Sequence, residues 1–363
     1  MTISGAESHG MAYPDRALLR DILKKVSRSF YLSLRILPKA VRQQVSLAYL
    51  FCRAADTIAD TRIIPPAERL HALHLFRQQF AREAPALEQM AQLRAYIPPY
   101  PEADGERQLL GELPTCFHLY RRFSATDRQL VRDLVVTLTQ GMEMDLSHFP
   151  DADTQTIRAL HDVSDLDRYT YYVAGVVGEF WTKIHLAHLP LLRHHDVNTL
   201  CDLGVRFGKG LQMTNVLKDL GRDLHLGRCY LPQTQLAALH IDLEALRQPQ
   251  ARTRILPLLH RLVGDTLAHL DHGCTYIDLL PTRALRLRLS CMWPLLFALQ
   301  TLEVICESET LLEPQAQVKI SRRAVYGTML VSLGCVVSRR LFLRYYTRLR
   351  QRLVHKLAVS NAT

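Results

Sequence analysis

The stretch that decides the fold class runs from residue 130 to residue 138 and reads Leu130-Val131-Arg132-Asp133-Leu134-Val135-Val136-Thr137-Leu138. Its leucines and Val135 recur at intervals of three and four residues, which is the spacing of one face of an α-helix. Leu18, Leu19, Ile22 and Leu23 repeat the spacing near the N-terminus. Runs that alternate apolar and polar residues over the length of a strand are nearly absent. The sequence therefore predicts an all-α protein.

Length and composition indicate a folded chain with a large core. The chain has 363 residues, of which 48% are apolar and 22% charged, a composition that argues against disorder. Pro-containing breaks interrupt the helical pattern, but none has the composition of a flexible interdomain linker. We expect one domain over residues 16–357, with a flexible N-terminal segment at 1–15 and a C-terminal tail at 358–363.

The formal net charge of +10 favours anionic partners, which include nucleic acids, membrane surfaces and diphosphates. Nucleic-acid binding is disfavoured because the basic residues form no recognition module. Many of the cations lie near the C-terminus, between apolar residues. They are Arg322, Arg323, Arg339, Arg340, Arg344, Arg348, Arg350, Arg352 and Lys356. Two interpretations of this segment stay open: a solvated helix face, and an amphipathic helix lying on a membrane surface.

Cysteine usage and hydropathy indicate a cytoplasmic protein without a transmembrane anchor. The eight cysteines contain no Cys-x-x-Cys pair, so neither a zinc site nor a disulfide framework is expected. No secretory signal is visible at the N-terminus. The longest apolar run, from Ala324 to Val337, is too short to span a bilayer. We expect it in a buried helix.

Two Asp-x-x-x-Asp motifs are the main candidates for chemistry. One contains Asp56 and Asp60, here called the first acidic pair, and the other contains Asp219 and Asp223, the second acidic pair. Residues four apart share one helix face, so each motif would present two carboxylates side by side. Mg²⁺ prefers oxygen ligands and commonly combines carboxylates with substrate phosphates. Two such faces opposed across a helical bundle would hold diphosphates through Mg²⁺.

Five segments in order resemble the squalene/phytoene synthase family, and together they extend through most of the chain. They are Ser27–Tyr31, Tyr49–Asp60, Tyr169–Gly175, Gly210–Asp223 and Gly227–Pro232. The resemblance implies a single-domain isoprenoid (prenyl) synthase fold, a helical bundle around a central cavity. It also implies an enzyme that joins two isoprenoid diphosphates, rather than a silent isoprenoid carrier.

The resemblance implies a role for each matching residue. Asp56, Asp60, Asp219, Asp223 and Asn215 would bind Mg²⁺, and Tyr172 would guide a proton during catalysis. The residues expected at the substrate diphosphates are Arg28, Arg53, Arg228, Tyr49, Gln212 and Asn215. Other interpretations stay open: a structural ion pair for Arg28 and Arg53, a core tyrosine for Tyr172, and simple packing for Tyr49. Gln212 and Asn215 could equally hold metal-bound water or the carboxylates of the second acidic pair.

Two features are similar to the squalene synthases of the family: the Tyr-Val-Ala-Gly sequence from Tyr172 to Gly175, and the segment Gln317–Arg323. The likeness implies condensation of two farnesyl diphosphates to presqualene diphosphate, followed by NADPH-dependent reduction to squalene. The alternative is a dehydrosqualene, phytoene or presqualene diphosphate synthase that does not use NADPH. A monomer or a weak homo-oligomer is expected.

Lys319, Arg322 and Arg323 would bind NADPH. Three positions depart from the pattern. Ser321 stands where an arginine is usual and Lys218 replaces an arginine beside the second acidic pair, while Ser290 stands where animal enzymes have a phenylalanine lining the reduction pocket.

Overall fold

The computed structural model describes residues 21–27, 34–61, 64–82, 86–95, 104–149, 156–248 and 250–360. Sixteen α-helices and two short strands lie within these residues, so the prediction of an all-α fold is confirmed. The strands, β1 (Arg158–Ala159) and β2 (Arg228–Cys229), pair in parallel. The helices, in chain order, are α1 (Leu23–Ser27), α2 (Lys39–Asp60), α3 (Pro66–Gln78), α4 (Leu87–Ala95), α5 (Asp104–Gly111), α6 (Leu113–Arg121), α7 (Ala125–His148), α8 (Val163–Thr170), α9 (Val176–His188), α10 (Val197–Lys218), α11 (Leu220–His225), α12 (Gln233–Ala238), α13 (Ala251–Leu279), α14 (Leu285–Glu307), α15 (Arg322–Cys335) and α16 (Arg339–Ser360).

The described residues fall into two compact units. The first is drawn from Met1–Arg35 and Arg42–Gln129, and the second from Ile36–Val41 and Leu130–Thr363. The bounds that we expect for a single domain, 16–357, stay a prediction.

An aromatic cluster forms the core of the first unit. Phe51 of α2 lies 4.7 Å from Phe117 of α6 and 4.9 Å from Phe80, measured between ring centroids. Phe76 and Tyr120 complete the cluster, and most of its ring pairs meet edge to face. Such pairs add to the stabilisation that burial of the rings already gives. The cluster fixes the buried face of α2, and with it the direction of the opposite face.

Long apolar helices form the core of the second unit, where α10 packs against α9, α13 and α14. Arg288 of α14 is fully buried. It donates hydrogen bonds to the backbone oxygens of Ile277, Leu280 and Val336. Carbonyls near helix ends lack partners within their own helix, and donors on a basic side chain can satisfy them. Arg288 therefore ties the ends of α13 and α15 to α14.

In the described part of the chain, α14 is long and apolar enough to cross a membrane, judged by length and composition. However, 67% of its most apolar 18-residue window is buried inside the protein. The helix is therefore a core helix of the second unit.

The expectation of a buried helix for the run from Ala324 to Val337 is wrong. Leu330 and Tyr326 of α15 are 71% and 68% exposed. The side of α15 that faces the protein consists of small residues, chiefly Thr328, Ser332 and Cys335. Trp293 Nε1 donates to Ser332 Oγ over 2.9 Å, so hydrogen bonds direct the polar side inward. Apolar content alone did not reveal which face of this helix is buried.

Candidate active site

The first acidic pair lies at the C-terminal end of α2. Tyr49, Arg53, Asp56 and Asp60 recur at three- and four-residue spacing, so they share one stripe of the helix. The apolar residues between them, including Leu50 and Phe51, are fully buried. Because the aromatic core holds the other face of α2, this polar stripe points away from it.

Arg53 connects the stripe to α5. Its Nη1 lies 2.5 Å from Asp56 Oδ2, and its Nη2 lies 2.8 Å from Glu106 Oε1. Tyr49 does not hydrogen-bond Arg53 through its hydroxyl, which instead donates to the Val26 carbonyl over 3.4 Å. The ion pair that we left open for Arg53 is therefore present, and Glu106 is a partner that the sequence did not indicate.

Asp56, in the first acidic pair, has a shifted pKa. Burial raises the pKa of the Asp56 carboxyl to about 6; the Asp60 charge acts in the same direction, and the Arg53 guanidinium opposes both. One cation is thus too little to balance two neighbouring carboxylates on a half-buried face. The first acidic pair can accept a further positive charge.

The second acidic pair lies at a helix junction rather than within one helix. α10 ends at Lys218, Asp219 caps it, and α11 begins at Leu220. The Asp219 N–H donates to the Asn215 carbonyl and the Asp223 N–H donates to the Asp219 carbonyl, each over 2.9 Å. These bonds carry the i to i+4 pattern across the junction, so the spacing of the two carboxylates is kept.

Asp223, in the second acidic pair, also has a shifted pKa. Burial and the Asp219 carboxylate raise its pKa to about 7, against the attraction of Arg228. Arg228 Nη1 pairs with Asp145 Oδ2 over 3.0 Å, and both side chains are largely buried. Tyr230 donates to the other oxygen of Asp145 over 2.5 Å and stacks on Tyr169. Asp145, which the sequence did not indicate, therefore binds the arginine that partly balances Asp223.

A tight turn and the short sheet position Arg228. Gly227 has a φ of 75°, a backbone conformation that costs glycine little and other residues more. The Arg158 N–H donates to the Gly227 carbonyl, and the Leu160 N–H donates to the Cys229 carbonyl. The sequence from Gly227 to Cys229 thus turns the chain back from α11 and fixes the start of the Arg228 side chain.

The amide residues of α10 precede the second acidic pair on the same helix. Gln212 is half-buried and Asn215 is exposed. Lys218 Nζ lies 3.3 Å from both Asn215 Oδ1 and Asp219 Oδ2. Asn215 and Asp219 are therefore linked through one lysine, which occupies the position where the family pattern has an arginine.

Tyr172 lies in a π-helical turn, Tyr171–Gly175, between α8 and α9. π turns are rare and are frequent at functional sites. Among the described residues, the half-buried Tyr172 side chain makes no hydrogen bond through its hydroxyl. The neighbouring Tyr171 hydroxyl, by contrast, donates to Glu179 over 3.3 Å. The role of Tyr172 stays a prediction.

A close helix crossing holds this turn beside α10. A Cβ on Gly204 of α10 would lie 2.5 Å from Thr182 Oγ1 and 2.8 Å from the Gly178 carbonyl of α9. No side chain fits at that distance, so glycine permits the approach of the two helices. The π-helical turn that contains Tyr172 precedes α9, and the second acidic pair follows α10. The close crossing of these two helices therefore fixes the turn and the acidic pair within the second unit.

The residues predicted to bind NADPH surround the start of α15. Lys319, Arg322 and Arg323 are exposed, and Lys319 Nζ contacts Gln317 over 3.4 Å. Ser321 caps α15 by accepting from the Ala324 N–H over 3.1 Å, which gives a local reason for serine at this position. Ser290 is buried and donates to the Leu287 carbonyl of its own helix. Arg28 lies outside the described residues.

The chemistry of these residues fits the expected ligands in part. Each acidic pair offers paired carboxylate oxygens, the second with an amide oxygen nearby, and such donors suit Mg²⁺. The raised pKa values of Asp56 and Asp223 reflect burial first and repulsion by the neighbouring carboxylate second, and a divalent cation would offset both. Three exposed cations at the start of α15 suit a phosphate of NADPH. No described residue is assigned to its nicotinamide.

The squalene/phytoene synthase family model matches residues 23–324. The squalene synthase of Eremothecium gossypii is 28% identical over 342 residues, which cover 92% of this chain and 71% of that protein. The bifunctional lycopene cyclase/phytoene synthase of Blakeslea trispora is 32% identical, over 74% of this chain and 41% of that protein. The presqualene diphosphate synthase of Zymomonas mobilis is 30% identical, over 62% of this chain and 64% of that protein.

Solved structures agree in fold. TcSQS in complex with the ligand E5700 superposes with a TM-score of 0.71 at 22% identity, covering 96% of this chain and 98% of that one. A ligand-bound dehydrosqualene synthase gives a TM-score of 0.60 at 21% identity, covering 92% of this chain and 98% of that one. The chain thus has the all-α isoprenoid synthase fold, and it belongs to the squalene/phytoene synthase family.

Proposed function

We propose that the protein is a squalene synthase. It would condense two farnesyl diphosphates head to head to presqualene diphosphate with Mg²⁺, and then reduce and rearrange that intermediate to squalene with NADPH. The observation that supports the condensation step is that both units contain the same combination of an acidic pair and an arginine. Each unit holds two carboxylates four residues apart, with an arginine whose charge lowers the pKa of one of them.

The acidic pairs would bind the metal and the diphosphates. Mg²⁺, when bound, neutralises the leaving diphosphate and lowers the barrier to breaking an allylic C–O bond. Asp56, Asp60, Asp219 and Asp223 supply the oxygen ligands, and Asn215 adds an amide oxygen. Arg53 binds Asp56, and Arg228 attracts Asp223 by its charge, so we assign them to orienting the acidic pairs as well as to diphosphate oxygens. Gln212 and Tyr49 keep the substrate-contact roles that the family resemblance implies.

Tyr172 is assigned to the proton that is lost when the cyclopropane of presqualene diphosphate closes. Ionisation of one farnesyl diphosphate gives an allylic cation, and the double bond of the second attacks it. The Tyr172 hydroxyl has no hydrogen-bond partner among the described residues, so its oxygen is free to accept a proton or pass it on. A tyrosine is a weak base, and released diphosphate would be the final acceptor.

The second half-reaction depends on NADPH, which when bound supplies a hydride. Lys319, Arg322 and Arg323 would bind its phosphates at the start of α15. The alternative, a dehydrosqualene, phytoene or presqualene diphosphate synthase, is favoured by the matches to a phytoene-forming relative and to a presqualene diphosphate synthase.

A product assay tests the proposal. The purified protein is incubated with farnesyl diphosphate and Mg²⁺, with and without NADPH, and products are identified by mass spectrometry. We expect squalene only with NADPH, and presqualene diphosphate without it. If the product with NADPH is the same as the product without it, squalene synthase is excluded and the alternative remains. Geranylgeranyl diphosphate in a parallel reaction detects a phytoene synthase.

A further inference from the structure

α15 is amphipathic in the reverse sense, with its polar residues inside and its apolar residues outside. Its inner side is held by hydrogen bonds, from Trp293 to Ser332 over 2.9 Å and from Gln300 to Thr328 over 2.8 Å. Arg288, which donates to the Val336 carbonyl, fixes its C-terminal end. These bonds determine the orientation of α15, so the exposure of its apolar side is built into the fold.

The outer apolar face continues from α15 into the first turn of α16. It consists of side chains between 50% and 71% exposed, spaced by three or four residues: Tyr326, Leu330, Leu333, Val337 and Leu341. Leu341 Cδ1 lies 3.9 Å from the position that a Cβ on Gly334 would take, so the two helices meet here. Contiguous exposed apolar surface of this kind marks an interaction site.

A cationic row lies along α16 beside this face. Arg340, Arg344 and Arg348 are four residues apart and exposed. They form no ion pair within the described residues. The other cations of α16 are paired with acids on α13 and α14: Arg339 with Asp278, Arg350 with Asp271, Arg352 with Glu303 and Lys356 with Glu307. The cations of α16 are thus divided between pairs that dock the helix and a row that is left for a partner.

The positive charge of the C-terminal segment indicates which kind of partner would bind the outer apolar face and the cationic row. Residues 324–363 contain seven Lys and Arg and no Asp or Glu, and four of the seven are the paired cations, so the three arginines of the row leave this segment with a surplus of positive charge. A second copy of the chain would place like charges against each other, whereas an anionic lipid surface offers both phosphate groups and an apolar layer. α15 has 14 residues and is therefore about 21 Å long, shorter than the hydrocarbon layer of a bilayer. It suits a position on the membrane rather than across it.

We propose that the outer apolar face and the cationic row form a docking surface for an anionic phospholipid membrane. The apolar side chains enter the interfacial layer, and Arg340, Arg344 and Arg348 contact lipid phosphates. This inference is independent of the proposed function, because it concerns residues that we assign to neither substrate nor cofactor.

Co-sedimentation with vesicles tests the docking surface. The full chain is mixed with vesicles of phosphatidylcholine and phosphatidylglycerol in equal parts, or of phosphatidylcholine alone. We expect binding to the anionic vesicles that weakens with added salt. The double variant Leu330→Ser/Leu333→Ser should bind at least about tenfold more weakly, and Arg340→Gln/Arg344→Gln about fivefold more weakly for each charge removed.

Leu191→Ser is the matched control, because Leu191 is 48% exposed in the second unit but lies outside this surface. It should bind like the wild type, and circular dichroism checks that each variant is folded. If the leucine variant does not fold, the arginine variant, which changes only exposed side chains, decides the question. Absence of wild-type binding, or unchanged binding of the folded variants, would overturn the proposal. So would a dimer, measured by light scattering without lipid, that dissociates in the leucine variant.

Discussion

The two acidic pairs have the same spacing in the sequence but different support in the structure. The first lies within one continuous helix, and its arginine bonds directly to Asp56 over 2.5 Å. The second spans the junction of α10 and α11, and its arginine is paired with a third carboxylate, Asp145. Motif spacing therefore sets which carboxylates are neighbours, while residues far away in sequence set how their charge is balanced.

The difference has an electrostatic consequence. Burial raises the pKa of the Asp56 carboxyl to about 6 and that of the Asp223 carboxyl to about 7. Arg53 both attracts and hydrogen-bonds Asp56, whereas Arg228 acts on Asp223 by its charge alone. The carboxylates of Glu106 and Asp145 oppose the two arginines alike. The second acidic pair thus has the greater need for an added cation.

Removal of one carboxylate from either pair should have the largest effect. We expect Asp56→Asn and Asp219→Asn each to lower kcat for farnesyl diphosphate by about 100-fold or more, because each loses a charged metal ligand. Asp202→Asn, at an exposed position on α10, is the control and should retain activity. Steady-state kinetics at saturating Mg²⁺ measure the effect. If one of the two variants kept wild-type turnover, that acidic pair would have no part in the reaction.

Asp145, which pairs with Arg228, and Glu106, which pairs with Arg53, should contribute differently to the free energy of unfolding. Asp145→Asn removes a carboxylate that pairs with the largely buried Arg228, so we expect the free energy of unfolding to fall by about 3 kcal/mol. Glu106→Gln should cost about 1 kcal/mol, because Arg53 keeps Asp56 and is more exposed. Urea denaturation of the two variants provides the comparison.

If Asp145→Asn and Glu106→Gln lowered the free energy of unfolding equally, the ion pairs of Arg228 and Arg53 would contribute equally to stability, contrary to the prediction from the structure. A second measurement separates positioning from simple destabilisation. Asp145 contributes to the raised pKa of Asp223, so Asp145→Asn should also lower that pKa. The pH at which Mg²⁺ binding is half-maximal would then move to a lower value, whereas Glu106→Gln should leave the second acidic pair unchanged.

The sequence predicted what depends on local spacing. Helical periodicity gave the all-α class, and the i to i+4 rule placed Asp56 beside Asp60 on α2. It did not indicate Glu106 or Asp145, because these residues reach their arginines across 53 and 83 positions of the chain. Nor did it indicate the exposed side of α15, where hydrogen bonds to Ser332 and Thr328 override the apolar character of the run. The assigned roles of the site residues stay predictions.

A smaller effect than that of Asp145→Asn is expected on stability as a function of pH, and it compares the two acidic pairs directly. A carboxyl has an ordinary pKa near 4 in the unfolded chain, and that of Asp223 is raised to about 7 in the folded protein. Because the folded state resists ionisation, the metal-free protein should lose stability as the pH rises from about 4 to 7. Mg²⁺ should restore that stability at pH values above about 7, and have little effect near pH 4.

Substitution of each acid separates their contributions. In the metal-free protein at alkaline pH, Asp223→Asn should raise the free energy of unfolding by about 1 to 2 kcal/mol, a value reduced from the full shift because the side chain is only half-buried. Asp56→Asn should raise it by less, since the pKa of Asp56 is only about 6 and the substitution also removes the partner of Arg53. Below about pH 3 the acid is mostly protonated in both the folded and the unfolded state, so neither substitution should stabilise the protein there. Thermal melting in EDTA across this pH range measures the difference, and a larger gain for Asp56→Asn would reverse the electrostatic order of the two pairs.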